Sequence, residues 1–136
     1  MANSVPDAFN NPPGGRPISQ QIQLAPDQVD AVAAFLRLIN AVENDRSAVA
    51  YATVAMRARA LRDALRPLSL AIKDTADAIR VLTEKRLDRD AVESLRRARR
   101  LLALALVTPL RGPRNLLIQS AIQSLHDARA SIVESG

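Results

Sequence analysis

His126 is the single histidine of this sequence and Met56 its one internal methionine. Those two side chains are the pair that could ligate a non-covalent haem iron inside a helical bundle. Their placement favours a plainer role. At ~100° per residue, His126 lies about 80° from Ile118, on the flank of an apolar helical stripe, where a boundary histidine belongs. Met56 falls in an apolar line of its own, where a flexible thioether fills gaps in a core. Serines and aspartates are scattered with no base beside them, and no glycine-rich loop could cradle a phosphate. The sequence therefore supports no catalytic, metal-binding or cofactor-binding residue, and no cofactor is expected in this chain.

Arginine is the other residue that could do chemistry. Seventeen arginines and two lysines stand against 14 acidic residues, for a net charge of +5. Arg57, Arg59, Arg62 and Arg66 crowd one predicted helix, and Arg96, Arg97, Arg99 and Arg100 another. Of these, Arg96, Arg97 and Arg100 form a candidate anion or partner surface. The competing reading is a solvated, partly paired face. Asp88, Asp90 and Glu93 precede the arginines of the later helix, the order that complements a helix dipole, and Glu93 is spaced to pair with Arg96 and Arg97. Nucleic acid is the weaker partner, because one Tyr and two Phe offer little to stack on bases and no turn suggests helix-turn-helix. Arg99 differs from its neighbours. On a helical wheel it falls within the Val92, Leu95, Leu102, Leu106 stripe, so its head must snorkel or meet a carboxylate, with Asp74 and Asp77 as candidates.

Periodicity supplies the helices that position these residues. At 136 residues the chain has the length of one domain, and folding at this size can bury roughly two-thirds of the unfolded surface. Hydrophobic residues make up 48%, yet only Phe9, Phe35 and Tyr51 are aromatic, so the core must be aliphatic and rich in alanine. Having no cysteine, the chain can form no disulfide, thiolate zinc site, iron–sulfur cluster or covalent c-type haem attachment. No apolar run reaches the ~18 residues of a membrane span, and the Met1 end lacks the basic-then-apolar order of an export signal. A soluble chain is expected.

Residues 1–23 hold Pro6, Pro12, Pro13, Pro17, Gly14 and Gly15, so an irregular, flexible arm is expected there, with a helical bundle domain over 24–136. Pro26 and Asp27 open a helix whose apolar residues cover more than one side: Val29, Val32, Ala33, Leu36 and Ile39, flanked by Ala31, Phe35, Leu38 and Val42. Such a helix is expected to be largely enclosed by the helices of residues 49–136. Asn44 and Asp45 either cap a new helix or punctuate a continuing one, and Pro67 ends or kinks the segment that follows. A further helix is expected over 68–85. Asp88 caps the next, with Leu87 and Val92 placed as a hydrophobic staple, and that helix runs to Val107. After "TPLRGP" at 108–113, Pro113 opens the last helix, which buries Ile118, Ala121, Ile122, Leu125, Ala128 and Ile132. No strand pattern and no internal repeat stand out. The predicted fold is all-α, an antiparallel bundle of four to five helices joined by short loops.

"LLALALV", Leu101 to Val107, is apolar all round its helix. It is either a central helix end or a surface pressed against something else, and Leu101, Leu104 and Val107 are the candidate docking face toward a haem domain or another copy.

One stretch carries a resemblance. "DAFNNPPGGRPISQQIQLAPDQVDAVAAFLRLINAVENDRSA", Asp7 to Ala48, resembles the C-terminal end of the bacterial di-haem cytochrome c peroxidase family. There an F-x-N-x-P-x-G-R-like loop leads through L-x-P-x-Q into a helix ending AFLR-x-(I/L)-NA-x-EN. The resemblance implies that this helix closes a cytochrome c fold, with Phe35, Leu36 and Ile39 at the positions that pack against the haem domain. This chain departs from the family in having no CxxCH, no haem-contacting N-terminal helix, and Ala25 where a capping Thr or Ser belongs. Peroxidase chemistry and c-type haem would therefore reside in a parent protein, and residues 49–136 would form a helical extension after the cytochrome fold. A periplasmic location follows from the resemblance alone, since c-type haem is attached there.

Two functions from different classes remain. One is a non-catalytic helical accessory or docking domain of a cytochrome c peroxidase-like electron-transfer protein, its partner a haem domain or another protein. The other is a free-standing helical protein-interaction module with no haem link, or a ligand-binding bundle, whose cytochrome-like helix is coincidental; a homo-oligomer is a further candidate partnership.

Overall fold

In a computed structural model, residues 25–135 of the chain are described, and they form four helices and no strand. These are α1 (Pro26–Met56), α2 (Leu61–Glu84), α3 (Arg89–Leu106) and α4 (Arg111–Ser135). The arm expected at 1–23 lies outside the described residues.

The chain divides into two compact units, Met1–Ala33 and Ala34–Gly136. The described part of the first is Ala25 and the opening turns of α1. Here the Ala25 N–H donates to Gln28 Oε1 at 2.8 Å, one half of a capping box formed without the usual hydroxyl residue. Val29 and Val32 are exposed.

The second unit is built on alanine. Ala41, Ala48 and Ala55 in α1, Ala64, Ala71 and Ala78 in α2, Ala91, Ala98 and Ala105 in α3, and Ala121 and Ala128 in α4 are all fully buried. Within each helix they recur at seven-residue spacing. Between them, four residues on, stand larger buried side chains: Leu68 and Leu82 in α2, Leu95 and Leu102 in α3, Leu125 and Ile132 in α4. This alternation of 4 and 3 is the seam pattern of knobs-into-holes packing, with alanine in one of the two seam positions. The seven-residue spacing of buried alanine runs through all four helices. α3 packs directly against both α2 and α4. Side chains join α1 to α2, Arg37 pairing with Glu84 at 2.8 Å and the Ser47 hydroxyl donating to Asp74 at 2.5 Å. The Arg37 hydrogen bond also holds the Glu84 carboxyl below its ordinary range.

Helix boundaries follow local signals at some points and tertiary contacts at others. Asp88 caps α3 as expected, its carboxylate accepting from the Ala91 N–H at 3.0 Å. Before it, Arg86 N–H bonds Thr83 O at 3.1 Å and Leu87 N–H bonds Leu82 O at 2.8 Å. This is a Schellman closure of α2 with Arg86, at φ 54°, in the left-handed position usually given to glycine. Asn44 and Asp45 lie inside a continuous α1.

Pro67, expected to end or kink a helix, sits inside α2. The break falls earlier, at residues 57–60, where Arg57 and Ala58 N–H groups turn back to Val54 and Ala55 carbonyls at 3.1 and 3.2 Å. Side chains of α4 take up the carbonyls left over there. Proline removes one hydrogen bond from a helix, and loss of the tertiary contacts at 57–60 would remove several.

Two burial expectations are overturned. The α1 residues of the second unit expected to be enclosed are not: Phe35 is 56% exposed, Leu36 58% and Ile39 42%. Arg99 does not lie within the apolar stripe of α3 but is exposed, and the inward position belongs to Ala98. Neither proposed carboxylate meets it, since Asp74 accepts from Ser47 and Asp77 pairs with Lys73 and Arg80.

The seam sets a clear stability contrast within α3. Leu102 is fully buried while Leu104 is 52% exposed. Leu102→Ala is expected to cost about 3 kcal/mol and Leu104→Ala about 1 kcal/mol or less, read by urea denaturation. Equal losses would show that the outer side of α3 is covered as well.

Candidate functional site

α1 presents two apolar faces because its inner one is made of small residues. Ala41, Ala48, Ala52 and Ala55 face the bundle, and Phe35, Leu36 and Ile39 fall on the opposite side of the helix at ~100° per residue. Leu38 and Val42 lie at the margin, half-buried against the core. Phe35, Leu38, Ile39 and Val42, with Ile132 and Val133 of α4, form an open apolar groove of about 370 Å³, in which Glu43 is the sole charged residue, while Leu36 lies outside it. Glu43 is turned to Arg46 at 3.6 Å. Such a concave aliphatic surface with an aromatic edge accepts one or two apolar anchors of a partner.

The remaining candidate residues do not converge on that groove. Arg96, Arg97 and Arg100 are all exposed on α3, and among the described residues Glu93 makes no ion pair with Arg96 or Arg97. Leu101 is half-buried against the core, whereas Leu104 and Val107 are exposed, the latter 73%. His126 is half-buried and its Nδ1 accepts from Arg129 at 2.6 Å. Met56 is held at the level of Asn115, whose amide donates to the Met56 carbonyl at 3.1 Å. Eleven residues of helix, ~16 Å, therefore separate the levels of Met56 and His126, too far to share one iron. No cluster of three metal-ligating side chains occurs among the described residues. No described helix is long and apolar enough to cross a membrane.

Two buried polar residues escaped the sequence reading. Arg114 has no exposed surface, and its guanidinium donates to the carbonyls of Ala58 at 2.9 Å, Arg59 at 3.0 Å and Pro109 at 2.8 Å. It therefore ties the α1–α2 connection to the α3–α4 connection. Asp45 is also fully buried, and neither carboxylate oxygen has a hydrogen-bond partner. Burial pushes its carboxyl up to about 7, against the opposing pull of the Arg129 charge. Asp45 occupies one of the larger-residue positions of the α1 seam, four residues after Ala41 and three before Ala48. Reading alanine as a core residue would have placed it inside. Nothing comparable marks Arg114, whose burial depends on carbonyls distant in sequence.

The groove on α1 and α4 is apolar but for Glu43, and of the two buried polar residues it is Arg114 that ties connections of the bundle together. No family model, curated protein or solved structure matches the chain.

Proposed function

We propose that this chain is a non-catalytic helical docking domain serving a c-type haem electron-transfer protein, an accessory to cytochrome c peroxidase-like chemistry carried outside it. The observation behind this reading is the outward apolar face of α1. Phe35, Leu36 and Ile39 are the positions that resemble the family's haem-packing helix, and the later helices of the chain leave them uncovered. A partner surface is the natural cover for such a face. The bundle that presents it is antiparallel in this reading. Rising numbers on α1 meet falling numbers on α2 at Arg37–Glu84 and Ser47–Asp74, and the start of α3 meets the end of α4 where Ser131 donates to Asp88. The partner's haem chemistry would place the pair in the periplasm.

Photo-cross-linking in the native host tests the proposal. With a benzophenone side chain at Leu36, the expected product is an adduct whose band retains covalently bound haem and which is lost with Phe35→Asp or Ile39→Asp. An adduct free of haem would favour an interaction module unrelated to cytochromes. No adduct at all would remove the docking face.

A further inference from the structure

A second groove, between α2 and α3, has a different chemistry. It consists of two adjoining hollows of about 340 and 320 Å³ that share Thr83 and Arg96. Arg80, Arg86, Arg89, Arg96 and Arg99 line them, with Glu84 as the one acidic residue. Beneath them lie the core residues Ile79, Leu82 and Val92, at most 8% exposed, so the apolar surface of the hollows comes from half-buried Ala76 and Leu87 and from the arginine stems. Arg80 is loosely engaged, 3.7 Å from both Asp77 and Glu84. Among the described residues, Arg86, Arg89, Arg96 and Arg99 take part in no ion pair. Five arginines face one glutamate that is already engaged by Arg37 and Arg80, so they repel one another, and an anionic partner relieves that repulsion.

Arg86 adds an independent sign. It holds the left-handed position of the Schellman closure, φ 54°, where a side chain is unfavourable and glycine is not. A guanidinium is kept at the groove despite that cost, as happens where strain serves a site.

We infer that the α2–α3 groove binds an acidic, amphipathic segment of a partner protein, its carboxylates meeting the arginine walls and its apolar side chains lying over Leu87 and the arginine stems. Carboxylates suit guanidinium forks, two bonds at a time. Nucleic acid fits less well: no lining residue is aromatic, so bases have nothing to stack on. This groove is separate from the α1–α4 groove, and the inference does not rest on the docking reading above.

The full chain is titrated with a fluorescein-labelled peptide of repeated Glu-Glu-Leu-Leu units at low salt. The same peptide with Gln for Glu, and a single-stranded RNA oligonucleotide, are the competitors. Binding is expected for the Glu peptide, falling steeply with salt and about tenfold weaker for Arg96→Ser. Arg97→Ser removes the same charge from outside the groove and is expected to change affinity about twofold or less. Arg86→Gly should lose affinity while melting no lower than the parent chain, which separates binding from folding. Phe35→Asp should leave peptide binding unchanged. Equal losses for Arg96→Ser and Arg97→Ser would overturn the inference, as would an Arg86→Gly chain of unchanged affinity. So would a Gln peptide that binds as well, or RNA that binds more tightly than the Glu peptide.

Discussion

Arg114→Ala is expected to destabilise the second unit by about 3–5 kcal/mol. The guanidinium has no exposed surface and no carboxylate partner; the carbonyls of Ala58, Arg59 and Pro109 do the work of a counter-charge. Truncation leaves those three acceptors facing a void, and an unmet buried acceptor costs about 1–3 kcal/mol. Arg114→Lys should recover only part of the loss, because one ammonium cannot span carbonyls on two separate connections. Urea denaturation decides between the outcomes. A loss below about 1 kcal/mol for Ala would mean that water replaces the fork without difficulty.

Stability should also fall as pH rises through the weakly acidic range, and Asp45 should be the cause. Its carboxyl is raised from an ordinary 3.8 to about 7 in the folded chain, first by burial, with the Arg129 charge acting in the opposite direction. Between those two values the folded state holds a proton that the unfolded state has released. The unfolded state then binds fewer protons, so the stability contribution is greatest at low pH, declines by up to ~1.4 kcal/mol per pH unit across the window, and levels off above it. Over the whole window the loss is on the order of 4 kcal/mol. Asp45→Asn, which cannot ionise, should flatten this slope and be more stable than the parent chain at mildly alkaline pH. An unchanged slope in the Asn variant would assign the pH dependence to another group.

How much of this was legible depended on which force set each feature. Signals local to a few residues read correctly. Asp88 was identified as a cap from its type and its place before an apolar run, and the carboxylate accepts the Ala91 N–H as that role requires. Features set by contacts distant in sequence did not read. Pro67 carries a strong local meaning, yet the helix break moved to 57–60, where Arg114 and Asn115 supply partners for the carbonyls. The largest misreading concerned α1. Large apolar side chains gain most from burial, which is why enclosure is the expectation for Phe35, Leu36 and Ile39. The bundle uses Ala41, Ala48, Ala52 and Ala55 there instead. The same assumption put Arg99 inside α3 where Ala98 belongs. Phe35 and Ile39, two of the groove's lining residues, belong to the face expected to pack against a haem domain, whereas the contribution of Val133 from α4 depends on a contact distant in sequence.

The alanine seam has a consequence for alignment. Because one pattern recurs every seven residues on all four helices, sliding a helix by one repeat, ~10 Å along its axis, would again set alanine and leucine into the seam. Apolar packing by itself distinguishes such shifted arrangements poorly. Arg114 and Asp45 each occur once. In a slipped arrangement Arg114 would lose the carbonyls of Ala58, Arg59 and Pro109 together, and Asp45 would leave the neighbourhood of Arg129. The two residues that weaken the core as apolar material thereby act as alignment pins, penalising near-identical registers that a uniform alanine–leucine interior would admit.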